Sequence, residues 1–165
     1  MLALKIPAAL RRWLLPRRVI MHRIIYVSQA VRGMSSKELA VIVGKAQKSN
    51  AAAGVTGMLV GHMGWFLQVI EGPAEALAAL FHRISADPRH GNIRVLVSEA
   101  APARAFPEWR MAFSEPHALP PSVQKHVFAL QNLIPINSPD RGSETAVRQV
   151  VRDFLAAFER LEKPA

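Results

Sequence analysis

The chain contains no cysteine. That excludes disulfides, thiolate nucleophiles and cysteine-bound zinc or iron–sulfur centres, and it fits a reducing compartment, so a cytoplasmic location is expected. Aromatic side chains make up only 7% of the 165 residues, and tyrosine occurs once, at position 26. An open sheet that stacks nucleotide bases needs more aromatics, interleaved with basic residues, so no specific nucleic-acid binding is expected. His22, His62, His82, His117 and His126 show no metal-ligand spacing, and no metal is expected. Acids are scarce too, 12 against 21 Lys and Arg, for a net charge of +9. The imbalance is local: Lys5, Arg11, Arg12, Arg17 and Arg18 fall in residues 1–20 with no acid among them, and without these five the net charge is +4. This stretch lacks an apolar run long enough for a signal-peptide core or a membrane span, and Pro7 and Pro16 interrupt any helix. It reads as a basic leader outside the fold, with Met21 as the natural start. Membrane contact is expected only through Trp13, Leu14 and Leu15 of this leader.

The remainder, in a chain that is 50% hydrophobic and 20% charged, suffices for one domain with a sizeable core. A first strand is predicted near 22–28. Ser35 and Glu38 form a capping box ahead of Leu39, Ile42, Val43 and Ala46 at helical spacing, and this helix should stop around Ser49-Asn50. Strands at about 55–61 and 65–71 read as a hairpin turning at His62-Met63-Gly64. Pro73 suits the first position of a second helix, whose stripe Leu77, Leu80, Phe81 and Ile84 ends at Asp87-Pro88. Strands near 92–99 and 109–114 come next, the last with Trp109, Met111 and Phe113 on one side. The order βαββαββ predicts an α+β, ferredoxin-like sandwich over residues 21–117. Residues 118–165 form a C-terminal helical extension: a helix to about Asn132, a linker from Pro135 to Gly142, and a helix near 144–162. The broad apolar face of that last helix (Val147, Val150, Val151, Phe154, Leu155, Phe158, Leu161) must pack on the bare side of the sheet or on another subunit.

Polar residues inside apolar strands carry the functional signal. Gln68 interrupts the run from Trp65 to Ile70, and an unpaired buried amide costs about 1–3 kcal/mol, so complementary groups must stand opposite it. Tyr26 is the best candidate, since alternation puts Ile24, Tyr26 and Ser28 on one strand face. If the two strands are neighbours, phenol and amide can meet.

In combination, several motifs resemble the BLUF domain, a blue-light sensor that uses flavin. They are Ile25-Tyr26-Val27-Ser28, Ser49-Asn50, Gly54-Val55-Thr56-Gly57-Met58-Leu59, Phe66-Leu67-Gln68-Val69-Ile70-Glu71-Gly72, Arg83 with Asp87 and His90, and Trp109-Arg110-Met111. The resemblance covers about residues 22–115. It implies a non-covalently bound flavin, usually FAD with FMN or riboflavin as alternatives, lying between the two helices with its ring edge facing Tyr26 and Gln68. It further implies light-driven electron and proton transfer from Tyr26 by way of Gln68, leaving an altered hydrogen-bond pattern. Asn50 matches the ring-binding asparagine and Ile42 an apolar wall. Arg83, Asp87 and His90 match the group near the ribityl chain and first phosphate, with Arg89 a weaker candidate. Trp109 and Met111 match the residues that relay the signal, Met111 also touching the flavin. Ser49 departs from the His or Asn common at its position.

Two other classes stay open from the residues alone. A small ferredoxin-like enzyme, such as a phosphohydrolase, would need a nucleophile or an oriented base, and Glu71 and Asp87 have no paired acid at an evident spacing. A nucleic-acid-binding module would show salt-sensitive affinity, lost with residues 1–20 if the leader alone carried it. The expectation is a sensor without its own catalytic domain, homo-oligomeric through excess apolar helix surface, signalling to a separate downstream protein.

Overall fold

The computed structural model describes residues 20–62, 64–133, 149, 151–154 and 156. The leader to residue 19, the linker at 135–142 and much of the 144–162 segment, with Val147, Val150, Leu155, Phe158 and Leu161, lie outside them. The elements are β1 (Met21–Ala30), α1 (Ser36–Ala52), β2 (Thr56–His62), β3 (Trp65–Pro73), α2 (Ala74–Ser85), β4 (His90–Ala100), β5 (Arg110–Ser114), a 3-10 turn (Pro116–Ala118) and α3 (Pro121–Leu133); residues 151–154 are helical as well.

The strands form one sheet in the order β4-β1-β3-β2-β5. The first four pair antiparallel and β5 lies parallel to β2. This is the ferredoxin-like α+β arrangement with a fifth strand added at one edge. Strand alternation sorts the apolar residues onto two faces. On one, Ile24, Tyr26, Leu59, Phe66, Ile70 and Met111 pack with Val43 of α1 and Leu77 of α2. On the other, Ile25, Val27, Met58, Val60, Leu67 and Val69 meet Phe106, Val123 and Val127 of α3, and Val151 and Phe154. The C-terminal apolar side chains that are described therefore cover the sheet face the two crossover helices leave bare.

Local chemistry fixes the element ends. At α1 the capping box forms in full: the Ser35 N–H donates to Glu38 Oε2 at 2.9 Å and the Glu38 N–H donates to Ser35 Oγ at 3.3 Å. Those bonds and Arg32 hold the Glu38 carboxyl down at about 2. Pro73 stands one place earlier than predicted, as the extended N-cap of α2 with ψ 136°; it ends β3, and Ala74 opens the helix.

The fifth strand departs most from the sequence reading. It begins at Arg110, so Trp109 precedes it. The β2 register slips between Gly57 and Met58, leaving Met111 as a bulged residue with φ 90°. A bulge inverts the alternation. Met111 consequently enters the helix-side core while Trp109 packs on the opposite core against Phe106, ring centroids 5.8 Å apart. Phe113 is exposed over Gly61. The three side chains expected on one side do not share one.

Candidate functional site

The β1–β3 register sets Tyr26 directly opposite Gln68. The Tyr26 hydroxyl donates to Gln68 Oε1, and the other end of that amide donates from Nε2 to Met111 Sδ at 3.3 Å. Tyr26 has no exposed surface, and Gln68 and Met111 are buried. Burial pushes the Tyr26 phenol well above its ordinary range, because a phenolate there would lose its hydration. Phe81 of α2 meets the phenol ring edge-on at 5.3 Å. The phenol is thus held neutral, with its proton directed at an amide oxygen.

Gln68 and Met111 also line a cavity of about 330 Å³ between the sheet and the two helices, a size that suits a planar organic ligand. Ile42 and Val43 form one wall; Leu80 and Ile84 stand across from them. Asn50, in the last turn of α1, lines it too and is 2% exposed. Its Nδ2 has no hydrogen-bond partner. A buried amide donor left unpaired is costly, and one beside a cavity is a recognition group for an acceptor-bearing ligand. Ser49 lines the same wall, but its hydroxyl donates to the Ala46 carbonyl at 3.1 Å.

The cavity mouth is polar. Asp87 accepts from the Arg89 side chain at 2.9 and 3.1 Å and from the Arg89 N–H at 3.0 Å; the guanidinium chiefly holds the Asp87 carboxyl down at about 2. His90, at the start of β4, lies 3.2 Å through Nδ1 from Ser28 Oγ, and burial lowers its pKa, disfavouring the charged ring. Arg83 stands apart from these residues. It is exposed and does not line the cavity, because it falls outside the stripe Leu77, Leu80, Phe81 and Ile84 that faces inward. The cations lining the cavity are Arg89 and, on α1, Lys45.

A description of sensors of blue light using FAD, the BLUF domain, matches residues 21–112. The chain belongs to the BLUF family. It is 38% identical over 87 residues to photoactivated adenylate cyclase subunit beta of Euglena gracilis, an alignment covering 52% of this chain and 10% of that one. It is 36% identical over 83 residues to the blue light- and temperature-regulated antirepressor BluF of Escherichia coli K12, covering 50% and 21%. Among solved structures, the dark-state BLUF protein BlrB aligns with TM-score 0.61 at 28% identity, over 84% of this chain and 97% of that one. A bacterial light-regulated adenylyl cyclase aligns with TM-score 0.63 at 25% identity, over 86% and 40%. This BLUF chain spans about a tenth of the length of the cyclase subunits it matches.

The cavity fits the family's cofactor. A flavin ring edge presents carbonyl acceptors and an N–H, and the unpaired Asn50 Nδ2 and the Gln68 amide are complementary to such an edge. Two contributors went unread in the sequence. Gln47 donates from Nε2 to the Met111 carbonyl at 3.1 Å, pinning the bulge to α1; its spacing from Val43 and Asn50, four and three residues, was the available signal. Ser28 was already on the Tyr26 face, but its tie to His90 needed the β1–β4 pairing.

Proposed function

We propose that this chain is a flavin photosensor in which Tyr26 and Gln68 form the light-reactive pair, Asn50, Ile42, Asp87, His90 and Met111 hold FAD, and Met111 passes the change to β5. The observation that carries the reading is the bonded chain Tyr26–Gln68–Met111 beside a cavity with one unsatisfied amide. A bound flavin excited by blue light supplies a one-electron oxidant. Tyr26 is the donor the fold provides. Once it gives up an electron, its hydroxyl becomes strongly acidic, and the proton moves along the existing bond onto Gln68 Oε1. When electron and proton return, Tyr26 is restored and Gln68 remains rotated or tautomerised. Its donor and acceptor ends have changed places, so Met111 Sδ no longer faces the same group and the bulge of β5 relaxes.

Output is assigned to a separate protein, with the chain itself non-catalytic and homo-oligomeric through its C-terminal helical surface. The buried Glu71 carboxylate, the acid an enzyme reading would look to, points away from the cavity and is fully engaged by Arg23 and two backbone N–H groups. Among the described residues no helix is long and apolar enough to cross a membrane, which with the absence of cysteine suits a cytoplasmic sensor. Trp109 stands on the far face and takes part as a neighbour of Phe106. The test is the visible spectrum of purified protein before and after blue light. A bound oxidised flavin with a small reversible red shift is expected, and Tyr26→Phe should bind flavin and lose the shift. A normal long-lived shift in that variant, or protein that refuses added flavin, would end the reading.

A further inference from the structure

We infer that Glu71 is a positioning residue for the light reaction: it fixes the β4–β5 loop, and with it the register of β5, and ties that register to the helices on the far face of the sheet. The inference rests on the photosensor reading. Glu71 lies three residues beyond Gln68 on β3, so alternation points the two side chains to opposite faces. Its carboxylate is 1% exposed and accepts from Arg23 Nε at 2.5 Å, from the Ala105 N–H at 2.9 and 3.0 Å, and from the Phe106 N–H at 3.0 Å. Arg23, itself buried, also donates to the Ala103 carbonyl at 3.2 Å. From the loop side, Arg104 donates to Thr56 Oγ1, the Glu71 carbonyl and the Gly54 carbonyl at 2.7, 2.8 and 2.6 Å. Residues 103–106 are therefore held by side chain, N–H and carbonyl together.

The signalling strand begins just beyond this anchor. From Phe106 the chain runs to Trp109, whose carbonyl accepts from the Gly57 N–H at 2.6 Å, and two residues later reaches Met111 with its bulge and its sulfur on Gln68. The output face packs directly on the anchor: Ala105 and Phe106 share a core with Val123, Val127, Val151 and Phe154. Displacement of β5 is thus taken up at one charged fixed point. A buried carboxylate with charge-assisted donors gives a more sharply placed anchor than packing alone.

The test uses the full, flavin-loaded chain. Glu71→Gln removes the charge and presents an NH₂ to donors, while Arg104→Met releases the same loop from its other side; neither touches the cavity. Flavin content and the size of the light-induced red shift are expected to equal those of the wild type. The rate of dark recovery should change by at least about threefold, the light-dependent change in hydrogen exchange of α3 should be lost, and Glu71→Asp should restore part of both. A folded Glu71→Gln protein with wild-type recovery and wild-type α3 exchange overturns the inference. If Glu71→Gln does not fold, the same two readouts on Arg104→Met decide it. Absence of a red shift in the wild type would instead overturn the photosensor reading, which separates the two failures.

Discussion

Tyr26 is the only tyrosine, so tyrosinate absorbance reports this one phenol. Its pKa lies above the ordinary 10.0 in the folded chain. An acid group raised by folding contributes stability that is intact below its unfolded pKa and is withdrawn as pH climbs past about 10. The expected alkaline titration shows no tyrosinate while the protein is native, then a rise in absorbance that coincides with loss of circular dichroism. A tyrosinate step in folded protein at the ordinary pH would mean a hydrated phenol and would remove Tyr26 as the buried donor. Asn50 gives a second expectation. Its unpaired Nδ2 weakens the empty fold, so Asn50→Ala should leave the thermal midpoint of flavin-free protein unchanged or higher. Flavin affinity, read by titration, should fall about ten- to a hundredfold as a bond worth about 1–3 kcal/mol is lost. At this scale the sequence was legible wherever a polar side chain interrupted an apolar run, as at Tyr26 and Gln68. It left open which charge near the end of α2 lines the cavity: Arg83 and Arg89 are chemically alike, and only the folded chain shows Arg89 among the lining residues.

Among elements, the legible ones were those whose ends are written in local chemistry. The Ser35–Glu38 capping box and the helical apolar stripes need nothing from elsewhere in the chain. The fifth strand does. Its alternation is broken by a slipped register against β2, and that slip depends on how closely two other strands approach. At Gly57 a Cβ would stand 2.0 Å from the Val69 carbonyl, a contact no side chain tolerates, so only glycine permits this spacing. Gly57→Ala is expected to cost at least about 1–3 kcal/mol through strand separation, measured as a lower thermal midpoint. The same change should disturb Met111, because the Gly57 N–H holds the Trp109 carbonyl at the entry to β5. An unchanged midpoint would show that β2 and β3 can part without penalty. The assignment of Trp109 and Met111 to one face failed for the same reason: strict period-2 counting assumes a strand without a bulge, and β5 carries one at Met111.

At the scale of the molecule, one sheet has two separately covered faces, one closing a cofactor cavity and one closed by the C-terminal residues. The faces share strands, since β1, β2 and β3 give alternate side chains to the two cores, and β5 with its preceding loop does the same, with Met111 in one core and Phe106 and Trp109 in the other. The apolar excess of the C-terminal region, which from sequence admitted either the sheet or another subunit as its partner, is at least partly answered within the chain by Val151 and Phe154. That choice depends on which sheet face the crossover helices occupy, a property of handedness and packing rather than of local pattern.

The strand order also has a consequence for how the molecule comes into being. β4 and β5 occupy opposite edges, so residues 101–109 must traverse four inter-strand gaps, about 19 Å at ordinary sheet spacing, with a fully extended reach of about 30 Å. Little slack remains once that stretch bends around the sheet. Joining β5 parallel to β2 is a long-range contact across half the domain, of the kind that forms slowly and late. The wall that carries Met111 is therefore the last to be raised, and during synthesis the cavity stays open-sided until residues near 114 have emerged. The cofactor cavity is thus complete only once β5 has found its register on β2.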